Sequence, residues 1–271
     1  MGANHEKEID FLCNITKPTY GVITNIGSAH LEGFKTLKGV INAKNELYKF
    51  IQKTNGELFI NHDDNLLMQL SNNIINKYYY GTKSNLNIKI IRNTPFLQLI
   101  WENSIIKSQL IGEYQFYNIS LAICIGHHFN LSKKNIQSAI ESYIPKNNRS
   151  EITKTNKNTI IMDAYNANPS SMQAMLYSFA KQNYNEKLCI LGDMFELGSY
   201  SSKEHANILK LCKKLKLECF FVGKEFSKLK KSSFKDTSSL ISFIKKNPIK
   251  NKTILLKGSR SMRLEKLIDY L

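Results

Sequence analysis

The sequence predicts an α/β fold in two parts. The first is a parallel sheet with a small antiparallel sheet attached, and the second a Rossmann-like, doubly wound domain. Three observations predict this. Short apolar runs alternate with helix-period segments from Tyr20 to Lys77. The pattern then changes to short β-rich runs between Tyr78 and Ile111. Finally, after the proline- and asparagine-bearing stretch Pro145 to Arg149, the alternation restarts and continues to Leu271. The domains read from this pattern are 1–146 and 147–271.

Taken in order, Tyr20 to Ile26 reads as a strand. Thr36 to Lys53 reads as a helix, with Leu37, Val40, Ile41, Leu47 and Ile51 on one side. Glu57 to Ile60 is a strand, and Asn65 to Lys77 a helix capped by the Asp63-Asp64 pair. The runs from Tyr78 to Ile111 read as antiparallel strands around Pro95, and Gln115 to His128 with Leu131 to Tyr143 as a helical pair. In the second part, strand Thr159 to Met162 precedes a helix beginning near Pro169, a residue suited to a first helical turn. Strands Leu188 to Leu191, Glu218 to Val222 and Thr253 to Leu256 then alternate with helices Ser202 to Lys214, Ser238 to Lys246 and Met262 to Tyr270. Ligands of such a domain lie at the carboxyl ends of the strands.

Composition narrows the function classes. The chain is 42% hydrophobic and 22% charged, which suits a soluble globular protein. No apolar run approaches membrane-spanning length, and the opening MGANHEKEID has no apolar signal region, so membrane insertion is excluded and the cytoplasm expected. The net charge of +16 would suit a nucleic-acid binder, but the lysines are scattered and accompany an excess of Asn and Ile. That is the mark of a coding bias rather than of a binding face, so nucleic acid is not expected as a partner. The five cysteines, Cys13, Cys124, Cys189, Cys212 and Cys219, have no CxxC spacing, and reduced thiols are expected.

Four polar segments follow strands. The first, Thr24 to Gly33, contains His30, and Ala43-Lys44-Asn45-Glu46 lies in the helix after it. From the residues alone, His30 can be a metal ligand, a base or an ordinary loop histidine, the last being the better reading, and Lys44 reads as a solvated lysine. Together, NIGSAHLEGF and AKNELY resemble the central domain of the Mur ligases. That resemblance implies ATP as cofactor, with Asn25 on the nucleotide side, Mg2+ held by His30, and carbamylation of Lys44. A carbamate would place an anionic oxygen on a long arm, a donor suited to a hard cation. The second segment, Gly112 to Asn118, resembles the family's Gly-x-His-Asn-x-x-Asn motif, with Tyr114 and Gln115 departing from it. Asn118 is its adenine-side asparagine by that resemblance; otherwise it is an asparagine satisfying a helix start.

The third segment runs from Arg149 to DAYNANPSSM, residues 163–172. Its aspartate could take ribose hydroxyls or cap a helix. The whole string resembles the branch of the family that adds D-alanyl-D-alanine to UDP-N-acetylmuramoyl-tripeptide. By that resemblance Asp163 and Tyr165 bind the nucleotide, Arg149 approaches the γ-phosphate, and Asn166 and Asn168 line the substrate. The fourth pairs GDMFELG, residues 192–198, and His205 with KGSRSMR, residues 257–263. A Lys-Gly-Ser-Arg turn entering a helix offers backbone N–H groups and two cations to an anion, which makes Lys257, Ser259 and Arg260 candidates for a substrate carboxylate.

The resemblance spans the chain, from GAN at residues 2–4 onwards. No GxxxxGK[ST] occurs in it; Gly81-Thr82-Lys83-Ser84 lacks the first glycine and reads as a turn. The family's phosphate loop and N-terminal domain are therefore expected upstream of Met1 or on a separate polypeptide. These 271 residues, expected as a monomer, should then hold ATP weakly on their own. The open alternatives are another Mur or folylpolyglutamate-type ligase, half of a split ligase, or a non-catalytic binding module.

Overall fold

The computed structural model describes residues 1–28, 30–184 and 186–271, and divides into two compact units, Met1–Tyr143 and Ile144–Leu271. The first unit holds the parallel sheet β1-β2-β3, built from β1 (Tyr20–Val22), β2 (Glu57–Asn61) and β3 (Lys77–Tyr80). Alternation along β2 decides what covers each face. Leu58 and Ile60 pack with Tyr48 and Ile51 of helix α3 (Leu37–Lys53) and Leu67 of α4 (Asn65–Leu70). Phe59 packs instead with Tyr80 and Cys124, the latter from α5 (Gln115–His128). Helix α1 (Glu8–Thr16), which has no clear apolar period in the sequence, lies against α3, and the single turn α2 (Leu31–Phe34) precedes α3.

The antiparallel strands β4 (Lys89–Asn93), β5 (Leu97–Trp101) and β6 (Ser104–Lys107) form a separate sheet. Their buried Leu97, Leu99, Trp101 and Ile106 meet Phe116, Ile119 and Ile123 of α5 and Ile136 of α6 (Lys133–Ser142). The second unit is a five-stranded sheet ordered β10-β9-β11-β8-β7. Strands β8 (Thr159–Asp163), β9 (Lys187–Gly192), β10 (Glu218–Val222) and β11 (Thr253–Lys257) are parallel, and β7 (Glu151–Lys154) is an antiparallel edge. The intervening helices are α7 (Pro169–Lys181), α8 (Ser201–Lys214), α9 (Lys224–Leu229) and α10 (Thr237–Lys246). The near-continuous apolar run of β8 to β11 fits a sheet covered on both faces.

Several expected elements differ. The strand from Tyr20 stops at Val22, where its pairing with β2 ends, and Thr24 to Ser28 is loop. The helix from Asn65 ends at Leu70, because Ser71, Asn72 and Asn73 favour a turn; Ile74 reaches the same core from that turn, which prolonged the helical period. Only Asp64 caps α4, accepting the N–H groups of Leu66 and Leu67. The run from Tyr78 belongs to the parallel sheet, not to the antiparallel strands. The helix after Leu131 begins at Lys133, capped by Ser132. The final helix is two 3-10 segments, Arg260–Met262 and Leu264–Tyr270, separated by Arg263 in the left-handed region. Buried Leu264, Leu267 and Leu271 keep a spacing of three to four that either helix type satisfies.

Candidate functional site

In the first unit the candidate residues gather where the parallel strands end. After β1 the chain runs through Asn25 and Gly27 to His30, whose φ of 53° places it at the entry to α2. Ala29 of the NIGSAHLEGF segment lies outside the described residues. Lys44 projects from the middle of α3, and its Nζ donates to the carbonyl of Asn25 at 2.7 Å. Burial disfavours its charge and lowers its pKa below that of an ordinary lysine, which raises the fraction of neutral amine. Glu46, two residues further along α3, is engaged in packing. Its carboxylate accepts the N–H groups of Lys7 at 2.6 Å and Asp10 at 3.0 Å and so anchors the start of α1. Asn118 is exposed in the first turn of α5, with its amide donating to Gln115 Oε1 at 2.7 Å.

The loops after β2 and β3 are tied together beside that turn by a residue the sequence offered only as a cap. Asp63 accepts from the N–H of Thr82 (2.7 Å), the hydroxyl of Thr82 (2.8 Å) and the N–H of Lys83 (3.1 Å). Burial alone would raise its pKa, but these donors outweigh burial and lower it. The neighbouring Tyr117 phenol is pushed upward by burial and by the Asp63 carboxylate it bonds. The partners lie some twenty residues apart, so only the register of β2 on β3 brings them together.

In the second unit, Asp163 and Lys257 end the adjacent strands β8 and β11 as register partners, and Lys257 Nζ meets Asp163 Oδ2 at 2.7 Å. Ser150 Oγ stands 3.4 Å from the other carboxylate oxygen. Arg149 lies with its guanidinium carbon 3.8 Å from the centre of the Tyr165 ring, and the Tyr165 N–H donates to Asn148 at 3.2 Å. Asn166 folds back to accept from the N–H of Ala167 at 2.8 Å. Asn168 caps α7 in a reciprocal box with Ser171, which occupies its amide oxygen.

The GDM and KGS segments are bound to one another. Ser259 is buried; its hydroxyl accepts the Phe195 N–H at 3.0 Å and its N–H donates to the Asp193 carbonyl at 3.1 Å. Gly192 and Gly258 cross so closely that a Cβ on Gly258 would stand 2.9 Å from the Gly192 Cα. Asp193 is buried and serves α9, accepting the N–H groups of Glu225 at 2.9 Å and Phe226 at 3.0 Å. Buried His205 accepts from the Met194 N–H at 3.0 Å through Nε2, and its Nδ1 bonds the Ser201 carbonyl at 2.8 Å. The two cations expected to face one anion each have a carboxylate partner instead. Lys257 is buried against Asp163, while exposed Arg260 lies 3.5 Å from Glu265 and enters a three-residue 3-10 turn with little helix dipole.

Compared with known families, residues 1–126 match the Mur ligase middle domain, and residues 148–260 match the Mur ligase glutamate ligase domain. The chain belongs to the Mur ligase family. It is 28% identical over 289 residues to the UDP-N-acetylmuramoyl-tripeptide–D-alanyl-D-alanine ligase of Bacillus subtilis, covering 100% of this chain and 63% of that protein. Among solved structures it resembles MurF from Acinetobacter baumannii, with a TM-score of 0.84 and 25% identity over 99% of this chain and 63% of that one. MurF from Thermotoga maritima in complex with ADP shares the fold, with a TM-score of 0.83 at 22% identity over 100% and 65% of the two chains. The chain thus spans less than two thirds of the length of these Mur ligases.

Mur ligase membership and the α/β fold were both legible in the motifs. The motifs did not reveal how many of their residues hold one another. Asp193, His205, Ser259, Asn168 and Glu46 all have structural partners. Among the described residues, no three His, Cys, Asp or Glu side chains group as a metal site, and no helix is long and apolar enough to cross a membrane. Cys13, Cys124, Cys189, Cys212 and Cys219 are all free thiols.

Proposed function

We propose that these residues form the metal-, nucleoside- and amine-substrate side of an ATP-dependent, monomeric cytoplasmic ligase that joins D-alanyl-D-alanine to UDP-N-acetylmuramoyl-tripeptide. The observation that carries this reading is the DAYNAN segment, whose Asp163 ends β8 beside Arg149 stacked on Tyr165, in a chain whose relatives bear that name. In the implied reaction the tripeptide carboxylate attacks the γ-phosphorus of ATP, expelling ADP and forming an acyl phosphate; the amine of D-alanyl-D-alanine then adds to the acyl carbon, loses a proton and displaces inorganic phosphate. Arg149 offers a planar fork to the phosphate oxygens. Asp163 accepts ribose hydroxyls, Tyr165 steadies Arg149, Asn118 lies on the base side, and Asn25 takes part in nucleotide binding beside Lys44. Asn166 and Asn168 shape the wall near the reacting centre, with Ser259 and Arg260 on the dipeptide side. Chemistry of this kind is positioning and charge neutralisation rather than covalent catalysis.

The Mg2+ site is supported by donor chemistry. An imidazole and an amine do not suit a hard cation, but a carbamate oxygen does. The lowered pKa of Lys44 supplies the neutral amine that attacks carbon dioxide, forming the N–C bond and releasing a proton. His30 and carbamylated Lys44 would then hold the ion, which neutralises phosphate charge when bound.

Separate titrations with Mg-ATP and with D-alanyl-D-alanine test the reading. Both should bind, and D-alanyl-D-alanine should exceed L-alanyl-L-alanine, L-lysine and L-glutamate in affinity. Preference for one of the single amino acids would assign the chain to another branch of the family. Peptide binding with no nucleotide binding would leave only a binding module.

A further inference from the structure

We propose that Lys257 is a positioning residue that orients the Asp163 carboxylate, rather than a ligand for a substrate carboxylate. The inference rests on the reading of Asp163 as the ribose acceptor.

Accessibility separates the two partners. The Lys257 side chain is 3% exposed and that of Asp163 is 16% exposed, so the carboxylate faces the open end of the sheet while the ammonium sits beneath it. Burying an ammonium is costly without an anionic partner, and Asp163 Oδ2 is that partner at 2.7 Å. The backbone around Lys257 gives it no freedom to turn outward. Lys257 is held in β11 between β8 and β9, the next residue is pinned where Gly258 crosses Gly192, and Ser259 is bonded to Asp193. With Oδ2 occupied, Oδ1 is the oxygen left for a ligand. Among the described residues Ser150 Oγ approaches it, at a long 3.4 Å. A carboxylate fixed in this plane presents Oδ1 to a pair of vicinal hydroxyls; an unfixed one would rotate. The strand-end lysine and the strand-end aspartate thus form one unit, and the amine-substrate carboxylate must find its cation elsewhere.

The test uses the chain with magnesium and compares ADP with 2′,3′-dideoxy-ADP by calorimetric titration, alongside D-alanyl-D-alanine. In the native chain ADP should bind about tenfold or more tightly than the dideoxy nucleotide, the order expected for hydrogen bonds to a charged acceptor. Lys257→Met should bring that ratio close to one and leave D-alanyl-D-alanine affinity unchanged. Lys257→Gln, which retains a donor, should restore part of the ratio and serves as the variant to measure if Lys257→Met does not fold. A purely structural lysine would weaken both nucleotides alike and leave the ratio intact, which would overturn the proposal. So would a loss of D-alanyl-D-alanine binding in a folded Lys257 variant. Asp163→Asn separates the two readings. If it leaves the ratio as in the native chain, the ribose role of Asp163 fails and the inference fails with it. If it abolishes the ratio while Lys257→Met does not, only the positioning role fails.

Discussion

Gly223→Ala should destabilise the second unit by about 2–5 kcal/mol, and the size of the effect can be worked from two features of the site. The first is backbone conformation. Gly223 has φ 130° and ψ 167°, a region essentially reserved for glycine, and forcing an L-residue there costs of order 1–3 kcal/mol. The second is collision. A Cβ would lie 2.2 Å from the Asp193 Cγ and 2.3 and 2.5 Å from its oxygens. The carboxylate would have to turn away from the Glu225 and Phe226 N–H groups it caps, a loss of roughly 1–2 kcal/mol. Against a total stability of about 5–15 kcal/mol, this is a large fraction. Urea unfolding followed by hydrogen exchange of the β10 amides would read it directly. Trp101, the only tryptophan, lies in the first unit and gives an independent fluorescence signal there. The decisive comparison is the double variant. In an Asp193→Ala background the collision is gone, so Gly223→Ala should cost only the backbone part, about 1–3 kcal/mol. Equal cost in both backgrounds, or a cost below about 1 kcal/mol in the native one, would refute the reasoning.

Other consequences can be checked separately. Carbon-13 bicarbonate should give a carbamate resonance that grows with rising pH, because only the neutral Lys44 amine reacts and its pKa lies below the ordinary lysine value; Lys44→Arg should abolish it. Gly258→Ala should cost at least about 1–3 kcal/mol in melting experiments, because the atom it meets is the Gly192 backbone, which cannot rotate aside. Trp101→Ala, at a position 1% exposed in the core beneath α5, should lose about 3–5 kcal/mol of first-unit stability by urea titration. Tyr165→Ala should weaken ATP binding by about two- to fivefold through loss of the Arg149 stack, while Tyr165→Phe keeps it.

How much of this was legible beforehand depended on the range of the interaction. The apolar runs of β8 to β11 and the period of α3 are local patterns, and the sheets follow from them. Strand β7 and helix α1 were not visible, because a half-buried edge strand and a helix with few buried residues have weak periodicity. At the site, Lys44 and Asp163 could be picked out by their motifs. The bonds of Asp63 to the 82–83 turn and of Lys257 to Asp163 join residues about 20 and 94 positions apart, and only the strand register creates them. Glu46, Asn168 and Asp193 sit within motifs yet serve helix starts. A motif shows which residues recur together and is silent on whether they face a ligand or each other.

The strand order of the second unit has a consequence for synthesis on the ribosome. Strands β8 and β9 are consecutive in the chain, yet β11 lies between them. During vectorial translation neither can pair with its final inner neighbour until residues 253–257 have emerged. Until then the inner edges of β8 and β9 stay unpaired, a state open to strand mispairing and to chaperone capture. A ribosome stalled after β10 would therefore hold β1 to β6 of the first unit and a second unit without its central strand.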